Sequence, residues 1–160
     1  MVSIVKADSE QHLEHARTLF REYTSSFAGE TSFQHYLVLQ NFEEELLYLP
    51  NGYVPPEGVL LLALEAEKPA GCVAVRRLSS SVCEMKRLYV KPEFRRLGVG
   101  KKLVNAAIEK ASGLGYERMR LDTLPSMKQA QALYASLGFK RIAAYCDNPV
   151  EGAVFMELWL

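Results

Sequence analysis

Apolar residues in the first part of the chain are spaced as they are in helices. After a short strand-like segment, VSIVKA (residues 2–7), they recur every three or four positions over Leu13–Tyr23 and again over residues 32–49. This spacing is typical of amphipathic helices, and Asp8 or Ser9 can cap the first of them. The pattern therefore predicts one strand followed by two helices.

A turn-rich segment, NGYVPPEG (residues 51–58), separates these helices from three mostly apolar runs. The runs are GVLLLALEA, KPAGCVAVRRL and SVCEMKRLYV, and only short turns join them. Apolar runs of this length between turn residues predict strands, and the short connections predict an antiparallel meander.

The rest of the chain alternates between helix and strand signals. A helical apolar stripe covers residues 98–115, the strand-like RMRLDT follows it, and a second helical segment, SMKQAQALYASLGF, ends at Gly138. FKRIAAY and AVFMELWL then predict two closing strands.

The predicted order of elements is β-α-α-β-β-β-α-β-α-β-β, in one domain over residues 1–160. A strand, a helix and a further strand predict a parallel pair at the middle of a sheet that is otherwise antiparallel. The expected fold class is α+β, an α/β sandwich with helices packed on a mixed sheet.

Composition narrows the possible partners. The 19 Lys and Arg residues balance the 19 Asp and Glu residues, so no overall field favours nucleic acid or an anionic membrane. The most apolar run, GVLLLALEA, is too short to span a bilayer, and the first residues lack the apolar core of a signal peptide. We therefore expect neither a nucleic-acid partner nor a membrane partner.

Cysteines and histidines give no sign of a metal site. The three cysteines are odd in number and form no C-x-x-C pair, which argues against a disulfide framework or a zinc site. They are Cys72, Cys83 and Cys146, and we expect all three to be small core residues in a cytoplasmic protein. His12, His15 and His35 are expected to be solvated helix residues.

The segment RRLGVGKK (residues 95–102) concentrates positive charge and glycine at a predicted helix start. Unpaired N–H groups and partial positive charge at a helix start bind phosphates, and glycine lets a ligand approach the backbone. A Walker A loop would need glycine at 95 and Ser or Thr at 102, and a dinucleotide fingerprint would need glycine at 103. The chain has Arg95, Lys102 and Leu103 instead, so an R-x-x-G-x-G motif remains. A solvated, well-capped helix start is the structural alternative.

This motif resembles the Q/R-x-x-G-x-G/A signature of the GNAT superfamily of acyl-CoA-dependent N-acyltransferases. MKRLYVKPEFRRLGVG resembles the family's fourth strand and third helix start, and AQALYASLGF resembles its last helix and the strand after it. The resemblance implies acetyl-CoA as cosubstrate, with its pyrophosphate on the amides of Arg96 to Lys101. The implied cofactor-binding residues are Leu88, Tyr89, Val90, Arg95, Arg96, Gly98, Val99, Gly100 and Lys101.

The pantetheine arm is implied to pair with the backbone of Leu88–Val90, where the central parallel pair of strands splays apart. An N–H of residue 89 or 90 is expected to meet the acyl oxygen. Many members carry an asparagine three residues before the alanine of the last helix. Met127 stands at that position here, with Ser126 beside it, so the resemblance does not supply that contact.

Two residues are implied to be catalytic. Tyr134 matches the family tyrosine in L-Y-x-x-x-G-F and is the candidate acid for the departing sulfur, the alternative being a core aromatic on the Ala130–Leu137 stripe. Glu84 matches a general-base glutamate of several members. The alternative is an ordinary charged residue on a solvated strand face, or an ion-pair partner of Lys86 or Arg87. Asp122 and water are the other candidate bases.

The implied function is direct acetyl transfer to a primary amine of a small molecule or peptide, and a small molecule is favoured over a protein as the acceptor. The substrate pocket is expected between the first two helices and the segment before the second strand. Its candidate residues are Tyr23, Phe27, Phe33, Tyr36, Tyr53, Arg76 and Arg77. The alternative function is a catalytically idle CoA-binding or regulatory module on the same fold, and a homodimer is left open.

Overall fold

The apolar runs in the middle of the chain form the centre of a seven-stranded mixed sheet in this computed structural model, which describes residues 1–160. The strands are β1 Val2–Lys6, β2 Val59–Glu65, β3 Lys68–Arg77, β4 Val82–Val90, β5 Arg118–Thr123, β6 Lys140–Ile142 and β7 Val154–Trp159. The helices are α1 Glu10–Ser25, α2 Thr31–Leu39, α3 Phe42–Leu47, α4 Val99–Gly113 and α5 Lys128–Ser136, with a short 3-10 helix at Pro92–Phe94.

Helices cover both faces of the sheet, which explains why β2 and β3 are apolar at nearly every position. Along β2, Leu60 and Leu62 pack toward α1, α2 and α3, whereas Leu61 and Ala63 pack toward α4 and α5. The strand order is β1-β2-β3-β4-β5-β7-β6, and all neighbours are antiparallel except β4 and β5. The predicted α+β class and the central parallel pair are thus confirmed.

The parallel strands β4 and β5 separate soon after they meet. Only Val82–Glu84 and Arg118–Arg120 are paired, and the strands then part. A β-bulge in β4 shifts its register against β3, and Arg87 takes a left-handed backbone conformation there, with φ 61°. The predicted splay is therefore present, and it opens the sheet at its centre.

The structure differs from the predicted order in one helix. Residues 32–49 form two helices instead of one, because Asn41 adopts a left-handed conformation with φ 55° between α2 and α3. Asparagine tolerates this conformation better than most residues. The turn lets Phe42 and Leu46 join the same core as Phe33 of α2.

The strand predicted over FKRIAAY is also shorter than expected. β6 ends at Ile142, and residues 143–153 form a connecting loop that includes Asp147, Asn148 and Pro149. Cys72 and Cys83 are buried as predicted, but the prediction for Cys146 is wrong, because this residue lies on that loop and is exposed. No helix has the length and apolar character needed to cross a membrane.

Candidate active site

The start of α4 presents a row of backbone N–H groups. Gly98 precedes the helix with φ 78°, and Arg96 also has a positive φ, 65°. Lys102 makes the first helical bond, donating its N–H to the Gly98 carbonyl at 3.1 Å, so the amides before it lack a helical partner. A left-handed residue beside a helix start forms a concave cluster of N–H donors suited to an anion.

All nine residues predicted to bind the cofactor line one groove with a volume of about 680 Å³, which we call the basic groove. Its opposite wall is the start of α5, from Ser126 to Leu133, and Tyr23 and Phe27 close one end. Arg95 is partly engaged by the protein, because its Nε donates to the Val90 carbonyl at 3.0 Å. Arg96 and Lys101 are exposed at the groove.

The basic groove runs along the free edge of β4. Tyr89 and Val90 pair with Cys72 and Gly71 of β3 on one side, but β5 has already turned away on the other. Backbone groups that face β5 are therefore available to a ligand running beside the strand, as in strand addition.

A second, narrower space of about 40 Å³ lies where β4 and β5 part, and we call it the central cavity. It shares Tyr23, Leu88 and Met127 with the basic groove, so the two spaces adjoin. The polar residues that line it are Tyr36, Gln40, Lys86, Arg87, Asp122, Thr123, Tyr134 and Asn148. Helix α2, both central strands, α5 and the 143–153 loop all contribute to its walls.

Tyr134 is buried in the wall of the central cavity. Its ring packs against Phe139, with 5.7 Å between the ring centroids, yet its hydroxyl has no hydrogen-bond partner in the protein. Burial raises the pKa of Tyr134 above its usual value, and the nearby Tyr23 and Asp122 add to this effect. The phenol is therefore a protonated donor without an internal acceptor.

Only one of the two carboxylate oxygens of Asp122 accepts hydrogen bonds from the protein. Its Oδ2 accepts hydrogen bonds from the Tyr36 hydroxyl at 2.6 Å and Asn148 Nδ2 at 3.1 Å, and Cys146 Sγ lies 3.8 Å away. Its Oδ1 accepts no hydrogen bond from the protein, and the residue lines the central cavity. Burial and the neighbouring Asp122 carboxylate raise the pKa of Tyr36, which keeps this donor protonated.

Glu84 of β4 lies two residues before Lys86 but outside the central cavity. It is 1% exposed. Arg76 Nε donates to its Oε1 at 2.7 Å, and the Tyr145 hydroxyl donates to its Oε2 at 2.5 Å. Burial acts to raise the pKa of Glu84, but Lys86, Arg76 and the Tyr145 hydrogen bond outweigh it and lower the pKa. Both oxygens are thus occupied, and Glu84 partners Arg76 and Lys86.

The structure divides the predicted pocket residues. Tyr23, Phe33 and Tyr36 line the central cavity, Phe27 lines the basic groove with Tyr23, and Tyr53 lies in a separate depression beside Arg76. Arg77 is exposed near the end of β3. Met127, where many members have asparagine, lines both spaces, and its sulfur accepts from the Thr123 hydroxyl at 3.5 Å.

Several polar residues around the cavity were not predicted as site residues, among them Lys86, Tyr145 and Asn148. Lys86 was considered only as a partner of Glu84, because a lysine inside an apolar strand is expected on a solvated face. Tyr145 was placed in a strand that in fact ends at Ile142, and Asn148 lies in the loop that follows. The turn residues Asp147–Pro149 were the available sign of a loop, although nothing in them indicates which carboxylates the loop meets.

Comparisons with known proteins agree with this geometry. Residues 13–139 match the model of the Acetyltransferase (GNAT) family. An uncharacterized N-acetyltransferase of Schizosaccharomyces pombe is 39% identical over 159 residues, which cover 98% of this chain and 94% of the relative.

Solved structures share the fold. An acetyltransferase from Streptococcus agalactiae superposes with a TM-score of 0.77 at 21% identity, covering 99% of this chain and 98% of that one. The PaiA N-acetyltransferase of Thermoplasma acidophilum, solved in complex with coenzyme A, gives 0.74 at 20% identity, covering 100% and 99%. The family match, the S. pombe relative and the shared fold agree: this chain belongs to the GNAT family of N-acetyltransferases, which use acetyl-CoA.

Proposed function

We propose that this protein transfers the acetyl group of acetyl-CoA directly to a primary amine of a small molecule or peptide. One observation carries the proposal: the basic groove, lined by all nine predicted cofactor residues, adjoins the central cavity that holds the free hydroxyl of Tyr134 and the free oxygen of Asp122.

The residues of the basic groove fit coenzyme A. The pyrophosphate takes the unpaired amides between Arg96 and Lys101, whose side chains add positive charge. The pantetheine arm lies along the free edge of Leu88–Val90. This direction leads the thioester from the helix start toward the central cavity.

Asp122 is the group we propose to take the proton of the amine. The amine must be neutral when its nitrogen attacks the thioester carbonyl, so an ammonium first gives one proton to Asp122, which passes it to solvent. Asp122 suits this role because it lines the cavity and its Oδ1 accepts no hydrogen bond from the protein. Glu84, which the resemblance implies as base, is tied through both oxygens to Arg76 and Tyr145. We propose that Glu84 acts by holding Tyr145 and Lys86 in place.

Tyr134 is the group we propose to give a proton to the sulfur. As the C–N bond forms and the C–S bond breaks, the second proton of the nitrogen passes to Asp122 and the hydroxyl proton of Tyr134 passes to sulfur. The products are an acetamide and free thiol, and solvent restores the two protein groups. Burial raises the pKa of Tyr134, which keeps its hydroxyl protonated until the sulfur departs.

The cysteines support direct transfer rather than an acetylated protein intermediate. A nucleophilic cysteine needs a lowered pKa, whereas burial raises the pKa of Cys83 to about 12 and raises that of Cys72 as well. Burial also raises the pKa of Cys146. None of the three is an activated thiol.

A screen of thiol release from acetyl-CoA across classes of primary amine tests the proposal. We expect amine-dependent release, with the acetylated amine found by mass spectrometry in equal amount. Tight binding of acetyl-CoA without turnover of any amine would instead support the idle CoA-binding module.

A further inference from the structure

Lys86 is a buried cation without a hydrogen bond. Its side chain is 6% exposed, and its nearest partner is Glu84 Oε1 at 3.8 Å, an oxygen that already accepts from Arg76 at 2.7 Å. Nζ carries three donors, and Lys86 is one of the residues that line the central cavity. A buried ammonium that lacks hydrogen bonds is costly, so an acceptor from outside the protein suits this position.

Asp122 faces Lys86 across the gap between the strands. The last paired residues of β4 and β5 are Glu84 and Arg120, and Lys86 and Asp122 each follow two residues later. Both side chains line the central cavity, and they do not form an ion pair with each other. The cavity therefore has a positive wall and a negative wall with room between them.

The other nearby cations are already neutralised. Arg87, which also lines the cavity, makes two hydrogen bonds of 2.9 Å to Glu45 and one of 3.2 Å to Gln40. Arg76 is bound to Glu84 and does not line the cavity. Of the two cations that line the cavity, Lys86 is thus the less tightly paired, because its one ionic contact is with Glu84 Oε1 at 3.8 Å.

We propose that the amine acceptor is an amino acid, with its carboxylate bound by Lys86 and its amine bound by Asp122. This inference rests on the proposed function, since Asp122 is the group that takes the amine proton there. A zwitterionic substrate offers one charge to each wall, and neither charge is left buried and unpaired. Burial, with a smaller contribution from Arg87, lowers the pKa of Lys86 to about 8, and a bound carboxylate stabilises its charged form.

Pairs of amino acids and their amides test this inference. The probes are leucine, β-alanine and γ-aminobutyrate, each compared with its carboxamide, which keeps the amine and the size but removes the negative charge. We expect kcat/KM to be at least tenfold higher for the acid in one or more pairs, and this preference to fall to within about threefold in Lys86→Met. Lys110→Met, an exposed lysine on α4, is the matched control and should keep the preference.

The outcomes separate this inference from the proposed function. Acetylation of the amides at the same rate as the acids, or an acid preference that survives in Lys86→Met, overturns the role of Lys86 and leaves acetyl transfer standing. Failure of every amine in the wider screen, with acetyl-CoA bound, overturns both. Because methionine is apolar and nearly as long as lysine, the Lys86 variant is expected to fold, and the preference of the wild-type protein is a test that needs no variant.

Discussion

The basic groove and the central cavity share Leu88 and Met127, yet they are built in opposite ways. Much of the groove comes from one continuous stretch, residues 88–101, and its predicted ligand contacts are mainly backbone groups. The cavity is built from side chains of α2, both central strands, α5 and the 143–153 loop. A site made of backbone is encoded locally, whereas a site made of side chains exists only once the sheet has assembled.

The two regions also differ in solvation. Arg96 and Lys101 of the groove are exposed, so their charges are solvated. The cavity encloses Lys86 and Tyr134, and burial shifts the pKa of both. We therefore assign binding of the common cosubstrate to the groove, and chemistry and acceptor choice to the cavity.

The largest expected effect is that of Tyr134→Phe, which keeps the ring and removes the hydroxyl. If that hydroxyl protonates the leaving sulfur, turnover should fall by about 10²–10⁴-fold while affinity for acetyl-CoA changes little. Steady-state kinetics and calorimetry measure the two quantities. Tyr116→Phe is the matched control, because this buried hydroxyl donates to the Glu57 carbonyl far from the site. It should cost about 1–3 kcal/mol of stability and leave turnover unchanged.

A smaller loss is expected for Asp122→Asn, which removes proton acceptance but keeps the size of the side chain. Turnover should fall by about 10²-fold, and by less than tenfold in Glu84→Gln, since Glu84 does not line the cavity. Rate measurements over pH 6–9 compare the two variants. An equal or larger loss in Glu84→Gln would return the role of base to Glu84, and full activity in both would assign it to water.

Gly100→Val tests the groove alone. A Cβ at Gly100 would lie 3.5 Å from Leu133 Cδ2, an ordinary contact, so the helix should tolerate the change while the branched side chain crowds the amides. We expect acetyl-CoA to bind at least tenfold more weakly by calorimetry. Gly113→Val at the far end of α4, where a Cβ meets nothing within 4 Å, should bind normally. Unchanged affinity in a folded Gly100→Val protein would refute this phosphate site.

The smallest effect concerns stability. The pKa of Lys86 is lowered from 10.5 to about 8 in the folded protein, so folding expels a proton between those values. Wild-type stability should therefore rise with pH through that window, and below about pH 8 the full cost of the buried charge is present, at most about 3 kcal/mol. The other charged groups that act on Lys86 include Glu84, Asp122, Arg76 and Arg87.

Lys86→Met should consequently be more stable than wild type at pH 7, and the difference should shrink toward pH 10.5. Urea unfolding at several pH values measures it, with Lys110→Met as the control that shows no such trend. A Lys86 variant less stable than wild type at pH 7 would show that the ammonium is well paired within the fold.

The contrast between the basic groove and the central cavity also explains which parts of the site could be predicted from the sequence. Gly98, Gly100 and the arginines lie within one short motif, and its match to the family signature was the basis for predicting a cofactor site there. The splay of β4 and β5 was predicted from the same resemblance. The pairing of Tyr145 with Glu84 spans 61 positions, and that of Tyr36 with Asp122 spans 86. Such contacts depend on how a loop and a helix pack against the sheet, and no local pattern contains that information.

Kinetics of Gly100→Val and Tyr134→Phe, measured side by side, test the separation of binding from chemistry most directly. Our account predicts that Gly100→Val needs at least tenfold more acetyl-CoA but approaches the wild-type kcat at saturation. It predicts that Tyr134→Phe saturates at the wild-type acetyl-CoA concentration with a kcat lower by about 10²-fold or more. Loss of kcat in Gly100→Val with no change in the acetyl-CoA requirement, or native kcat in Tyr134→Phe, would contradict it.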